Sequence, residues 1–440
     1  MLSIILRHLS IRLRFLLTLV AALFSSCTGD TLVTPTRSLT SLPGETPAHT
    51  TTALTVEAVS ATEATETAPL RLMIWLPEPL YPVDDEAIAN LLNTQFAEFE
   101  TSQGNVEVEW RRKKVEDVGG IISTLRTASP VAPGALPDLT LLRRSDLVLA
   151  VQLGLIQPLE GRASSAILGD LYDAALRLGQ VDGQLYGLPY MLETQHLIYR
   201  PPLSLTGWSF ADVLAQDVPF VFPAGGANGV NDVFLVQYLA ALPPDEAAQV
   251  TSGELPINAE ALRSVLSFYQ QAVESSVITP SVLDFTTPID YAAFLGEGTA
   301  LVTSTTYLSL SARGEVLEFA PIPTASGNDA TMLDGWIWVM TTTNAERQEM
   351  ALQLMDWMMD AQRHGDYSAA VNMVPSQRST LRRWDDAAYG DFVDVLLNNA
   401  FLPLSESAAT RAMQNALGSV LLGQRTADEA TQEVLNQLTE

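Results

Sequence analysis

Three apolar runs separated by two helical patterns begin the foldable region, and their order constrains the chain more than any other feature. Residues 70–76 read as a buried strand, ended by Pro77-Glu78-Pro79. Residues 87–99 place Ile88, Leu91, Leu92, Phe96 and Phe99 at helical spacing. Residues 106–110 alternate as a second strand, residues 121–125 are helical, and residues 137–142 form a third buried strand. Strand and helix in strict alternation imply an α/β class with doubly wound sheets. Such sheets bind ligands beyond the carboxyl ends of their strands, which directs attention to residues 75–81, 110–112 and 143–145.

Residues 147–159 read as a helix with Gly154 near its end, and Asp182-Gly183 is a hairpin signal. Residues 193–200 form a strand that starts polar.

The first 26 residues read as an address. Arg7, Arg12 and Arg14 precede an apolar run at 15–24, and Ser25-Ser26 stand before Cys27. That order is a secretory signal, and the run is short for a membrane span. Leu23-Phe24-Ser25-Ser26-Cys27 resembles the lipobox of bacterial lipoproteins, with Phe24 where Leu is usual. Acylation of Cys27 is expected; an ordinary signal cut nearby would equally place the protein outside the cytoplasm. Residues 27–68 are rich in Thr, Ser, Pro, Ala and Glu, and have too little apolar surface to offset chain entropy. They read as a disordered tether, leaving 69–440 as the folded domain.

The single cysteine excludes a disulfide framework and a cysteine-based zinc site. The four histidines show no metal spacing, and no motif calls for a cofactor. Basic residues number 24 and acidic residues 51, for a formal charge of −27. That charge argues against nucleic acid and against an anionic membrane surface as partner. No Gly-x-Ser-x-Gly elbow or His-Glu-x-x-His helix is present. The carboxylate pairs Asp84-Asp85 and Asp385-Asp386 sit among loop and cap signals.

Several landmarks then recur in a familiar order: Pro137-Asp138, Gly154-Leu155, Asp182-Gly183 with Tyr186-Gly187-Leu188-Pro189, Glu193 and Leu197-Ile198-Tyr199. They continue in the stretch 293–301, in Asp334-Gly335-Trp336-Ile337-Trp338-Val339, in Val374-Pro375-Ser376 and in residues 423–430. Over about residues 70–440 the chain resembles the extracellular solute-binding proteins of ABC importers, in particular the carbohydrate-binding branch related to maltose-binding protein.

The resemblance implies a two-lobed periplasmic-binding-protein fold of type II, its lobes joined by hinge crossovers. One lobe would comprise about 70–191 and 335–382, the other about 192–334 and 383–440. It implies a monomer that holds a solute between the lobes and delivers it to a membrane permease. Sugars are held by aromatic faces and planar polar side chains. The expected contacts are Trp75, Glu78, Tyr81, Arg143, Arg144, Ser145, Glu193, Asn231, Asp232, Tyr307, Trp336 and Trp338. Asn228 in the Gly-rich loop 224–232 belongs with them. Trp336 and Trp338 share a strand face, and one of them is expected to pack inward. Thr410 and Arg411 stand where maltose-binding protein presents aromatics, which counts against a maltodextrin. The same fold could hold a polyamine or other small cation between carboxylates and rings. A ligand-sensing ectodomain and a surface enzyme are the other readings weighed.

Overall fold

Two long strands, one formed mainly by the first half of the chain and one returning from the second, hold the sheet together. In this computed structural model residues 68–440 are described, except 83–84, 117, 227–228, 248, 251–253, 287–289, 291–297 and 440. The expected signal segment, Cys27, the tether up to residue 67, Asn228 and most of the stretch 293–301 lie outside the described residues.

The strands are β1 (Leu70–Pro77), β2 (Val106–Lys113), β3 (Leu139–Leu142), β4 (Gln180–Val181), β5 (Gln184–Leu185) and β6 (Gly187–Tyr199). They continue as β7 (Phe220–Val221), β8 (Thr299–Thr303), β9 (Glu318–Ala320), β10 (Thr331–Met340), β11 (Val374–Pro375) and β12 (Ala400–Phe401). The main sheet runs β2-β1-β3-β10-β6-β8-β7, with β9 and β11 on β6 and β12 on β10. β1 is parallel to β2 and β3, whereas β10 runs antiparallel to both β3 and β6. The α/β class and the two-lobed, crossover-linked arrangement hold. The two sheets join into one ten-stranded sheet because β6 and β10 pass through both.

Most elements fall where the pattern placed them. The first helix spans Glu86–Gln103, and Asp85 caps it by accepting from the Ala87 and Ile88 N–H groups. Asp386 caps Ala387–Asn398 in the same way through Tyr389 N–H. Asp85 and Asp386 are therefore cap residues. Asp182 and Gly183 take φ of 50° and 78° between β4 and β5, the doubly left-handed turn that suits a hairpin's twist.

Two elements differ from expectation. The helix expected over 147–159 is Arg144–Gln152, because Gly154 at φ 65° turns the chain left-handed and Leu155 N–H closes on Ala150 O. The strand expected from 193 begins at Gly187. A register shift beside Trp336 leaves Tyr190 as the extra residue and lets Pro189 sit opposite Ile337, so the strand carries its proline. At the crossing the strands approach closely: a Cβ on Gly335 would overlap Met191 O.

Three apolar clusters fill the body. One packs β1, β3, β6 and β10 against Glu86–Gln103, Ala345–Met358 and Ala361–Ala370. A second gathers Asp232–Ala241, Ala259–Glu274, Ala408–Leu421 and Ala427–Thr439. The third runs through the crossing itself, from Trp75 and Leu142 through Leu192 and Leu333 to Tyr307 and Tyr389.

His196 lies at the heart of that third cluster, fully buried. Leu197 O can only accept, so Nδ1 carries the proton and donates to it at 3.0 Å. Nε2 then accepts from Tyr389 OH at 3.0 Å. Burial lowers the His196 pKa to about 4 and lowers that of His364 as well. Above pH 6.5 neither folded nor unfolded chain protonates these rings. Between pH 6.5 and about 4 only the unfolded chain gains the His196 proton, so stability falls with pH across that window. The His196 contribution is roughly 3 kcal/mol. Urea melts at pH 7.5 and 4.5 are expected to show a loss of this order, reduced in His196→Gln. Gly335→Ala is expected to cost about 1–3 kcal/mol in the same melts, since backbone must move to admit the methyl.

Candidate functional site

Antiparallel pairing of β6 and β10 sets Glu193 directly opposite Asp334. Like charges across a strand pair repel, and Arg143 removes the repulsion. It stands at the end of β3, as the residue before helix Arg144–Gln152. Its Nη1 donates to Glu193 Oε2 at 3.1 Å and to Asp334 Oδ2 at 3.2 Å, and Nη2 donates to Glu193 Oε2 at 3.1 Å. The guanidinium carbon lies 4.8 Å from the Trp336 ring centroid, a cation–π contact. Trp336 follows Asp334 by two residues and shares its strand face. Burial alone would lower the Arg143 pKa; Asp334 and Glu193 outweigh it and raise it.

Neighbouring groups extend the cluster. Arg144 N–H faces Asp334 Oδ1 at 3.5 Å, and its guanidinium donates to Leu178 O at 3.0 Å and to Gln180 O. Burial lowers the Arg144 pKa. Gln195, on the Glu193 face of β6, donates to Asp232 Oδ2 at 2.7 Å. Asn231 caps helix Asp232–Ala241 by accepting from the Val233 and Phe234 N–H groups, and its own N–H donates to Gln414. Burial raises the Asp232 pKa, the Gln195 bond opposes this, and Asp334 adds to the rise. Asp146 is raised by burial, then by Glu116 and Asp334.

Asp334 is thus the electrostatic centre of a group that draws on both crossing strands and on helices from both halves. The side chains of Arg143, Glu193 and Asp334 keep 26%, 17% and 34% of their exposure, so a solute can reach them. Arginine donors and carboxylate acceptors above an indole are suited to hydroxyl groups, and the carboxylate excess also suits a cation. Among the described residues no three metal-ligating side chains converge on a metal position. A crevice of about 760 Å³ adjoins this cluster: Arg144 lines it, whereas Arg143, Glu193, Asp232 and Asp334 do not.

Of the expected contacts, Arg143, Arg144, Glu193, Asn231 and Asp232 come together here. Ser145 is exposed in the first turn beside them. Trp336 is 1% exposed, so it is the floor beneath Arg143 and presents no open stacking face. Trp338 is core, its ring 5.5 Å from Tyr190. Neither tryptophan therefore faces an open cleft. Both alternate onto the same buried face, and the sheet is covered there by helices.

Tyr307 is a correction as well. It packs against His196 and Tyr389, on the β6 face opposite Glu193, and belongs to the core. Burial, then Asp386 and Glu318, push its pKa up to about 12. Trp75 is 2% exposed in the same core, because a ring at the end of a central strand is covered from both sides; Lys113 Nζ lies 4.2 Å from it. Glu78 and Tyr81 occupy the same carboxyl edge of the sheet but have other partners. Glu78 pairs with Arg112 at 3.1 Å, and Tyr81 lies 4.3 Å from the Trp110 ring. Sequence reasoning missed Asp334, Gln195 and Asp146. Asp334 stood in the crossing motif, and its signal was a carboxylate just before the crossing glycine.

The sequence profile described as bacterial extracellular solute-binding protein matches residues 94–382. A search of curated proteins finds no match. Among solved structures, the cyclic α-maltosyl-1,6-maltose binding protein from Arthrobacter globiformis is similar. It has 17% identity and a TM-score of 0.64, over 84% of this chain and 98% of that one. The maltose-binding periplasmic protein MalE from Listeria monocytogenes, in complex with maltose, has 14% identity and a TM-score of 0.65. The match covers 84% of this chain and 96% of that one. A family 1 extracellular solute-binding protein from Bifidobacterium longum subsp. infantis has 14% identity and a TM-score of 0.63, over 84% and 99%. At these identities the structural likeness speaks to the fold, and the profile match over most of the chain speaks to the family: this protein is a member of the bacterial extracellular solute-binding proteins.

Proposed function

We propose that this protein captures a carbohydrate at the Arg143–Glu193–Asp334 cluster and delivers it to the permease of an ABC importer. The observation that carries the reading is the placement of Asp334 opposite Glu193, with Arg143 bridging them over Trp336. Hydroxyl groups of a sugar would exchange with these charge-assisted bonds, and the two strands that supply the carboxylates would be the connections between the lobes. Ligand would then favour closure of lobe 1 (about 70–191 and 335–382) on lobe 2 (about 192–334 and 383–440). The protein would act as a monomeric binding protein without catalysis or cofactor. Acylation of Cys27 would anchor it to the outer face of the membrane through the 27–68 tether.

Asp146, Glu193, Asp232 and Asp334 against Arg143 and Arg144 favour one second reading, a small cation such as a polyamine.

A thermal-shift screen of the full chain against mono- and oligosaccharides and polyamines separates the two. A ligand at 100 times its Kd adds about 2.7 kcal/mol, so a true ligand raises Tm visibly. A rise with one sugar class is the expected result; a rise with polyamines alone would replace carbohydrate by cation. Glu193→Gln and Asp334→Asn are each expected to weaken the ligand so found by at least about tenfold, or 1.4 kcal/mol. Calorimetry reads that loss, and unchanged affinity in both variants would remove the cluster as the site. Cys27→Ser is expected to abolish incorporation of labelled fatty acid in cells.

A further inference from the structure

β2 closes one end of the main sheet. Its inner side pairs with β1, and among the described residues no strand pairs with its outer side. The parity of the parallel ladder shows which backbone groups point outward. Leu70 N–H donates to Asn105 O at 3.0 Å, so odd-numbered residues of this segment turn their backbone groups toward β1. Val106, Val108, Trp110 and Arg112 turn theirs outward. Val108 N–H agrees with that parity: it leaves the ladder and donates to Glu100 Oε1 at 2.6 Å, a side chain of helix Glu86–Gln103. A row of outward amides and carbonyls is a template for another strand.

The charges along β2 select which strand. Glu107 and Glu109 occupy its first half, and Arg111, Arg112 and Lys113 its second. A second copy of β2, turned antiparallel about Trp110, sets Glu109 opposite Arg111 and Glu107 opposite Lys113. Two-fold symmetry forms each pair twice. The same register brings outward residues against outward residues: Trp110 meets Trp110, and Val108 meets Arg112. Within the chain Arg111 pairs with Glu109 at 3.0 Å and Arg71 with Glu107 at 3.2 Å, all with exposed or half-exposed side chains. Such surface pairs are weak and can be shared with a second copy.

We propose that the outer edge of β2 is a self-association surface, occupied by β2 of a second copy of this chain in antiparallel register about Trp110. Glu100 is its guard. The carboxylate fills the place that the Arg112 carbonyl of the second copy takes on Val108 N–H, and it must swing away for the ladder to close. The pairing points the carboxyl ends of the two sheets in opposite directions, so the two Arg143 clusters lie at opposite ends of the pair. Solute capture needs one chain alone, and the association is reversible and goes beyond that reading.

Sedimentation velocity of the full chain at physiological salt, up to millimolar concentration, tests the proposal. The weight-average mass is expected to rise with concentration towards twice that of one chain. Glu100→Ala frees Val108 N–H and is expected to strengthen the association. Glu109→Arg sets arginine opposite Arg111 twice and is expected to weaken it by at least about tenfold. The double variant Glu109→Arg with Arg111→Glu restores opposite charges and is expected to restore it. Arg112→Pro removes an outward N–H but no bond to β1, and is expected to abolish it. Thermal melts check that each variant folds; should Arg112→Pro fail, the charge swap decides. A single-chain mass at every concentration in both the unmodified chain and Glu100→Ala would overturn the proposal. Association unchanged by Glu109→Arg, or not restored by the double variant, would overturn it too. None of these outcomes depends on what the Arg143 cluster binds.

Discussion

Pairing of β6 with β10 is the constraint on which the rest depends. These strands run through the whole sheet and place Glu193 opposite Asp334. Without a cation between them two carboxylates across a strand pair would strain the crossing, and Arg143 supplies that cation from a third strand. One arginine therefore ties β3, β6 and β10 together at the middle of the sheet. The charged groups that hold the crossing are also the groups a solute can reach.

The two faces of the crossing are unlike. On the face of Leu192, Leu333 and Ile337 the core is continuous, and Tyr307, Tyr389 and His196 close it. On the other face Glu193, Gln195 and Asp334 interrupt the apolar cover. Strand alternation produces the contrast: adjacent residues of one strand serve the apolar core and the charge cluster by turns. It also explains why His196 is held neutral three residues along the strand from Glu193, a reachable carboxylate on the other face.

Much of the fold was legible because it rests on local patterns. Apolar runs, helical spacing, Asp caps and the Asp182-Gly183 turn are decided within a few residues, and the structure places them close to expectation. The start of β6 was not legible, because Gly187 and Pro189 break the strand pattern before Glu193 until the partner strand and its register shift are present. The site was legible where position in the fold implies exposure. Arg143, Glu193 and Asp232 follow a strand end, a crossing and a cap. The aromatics were read as stacking surfaces because the family resemblance and the strand ends put rings at those positions, and neither tells which faces neighbouring elements cover. Trp75, Tyr307, Trp336 and Trp338 all fall on covered faces.

By itself the sequence determined the α/β class, the order of elements and the acidic charge balance, since each is written in composition or in short-range pattern, and it carried the family in the order of its motifs along the chain. Tertiary structure alone decided that Asp334 lies at the centre of the charge cluster and that its counter-ion comes from 191 residues earlier in the chain. It alone decided which aromatic rings are core and that a crevice opens beside the cluster. The reason is physical: charge pairing, burial and cavity shape depend on distances between residues far apart in the chain, and only the folded sheet sets those distances.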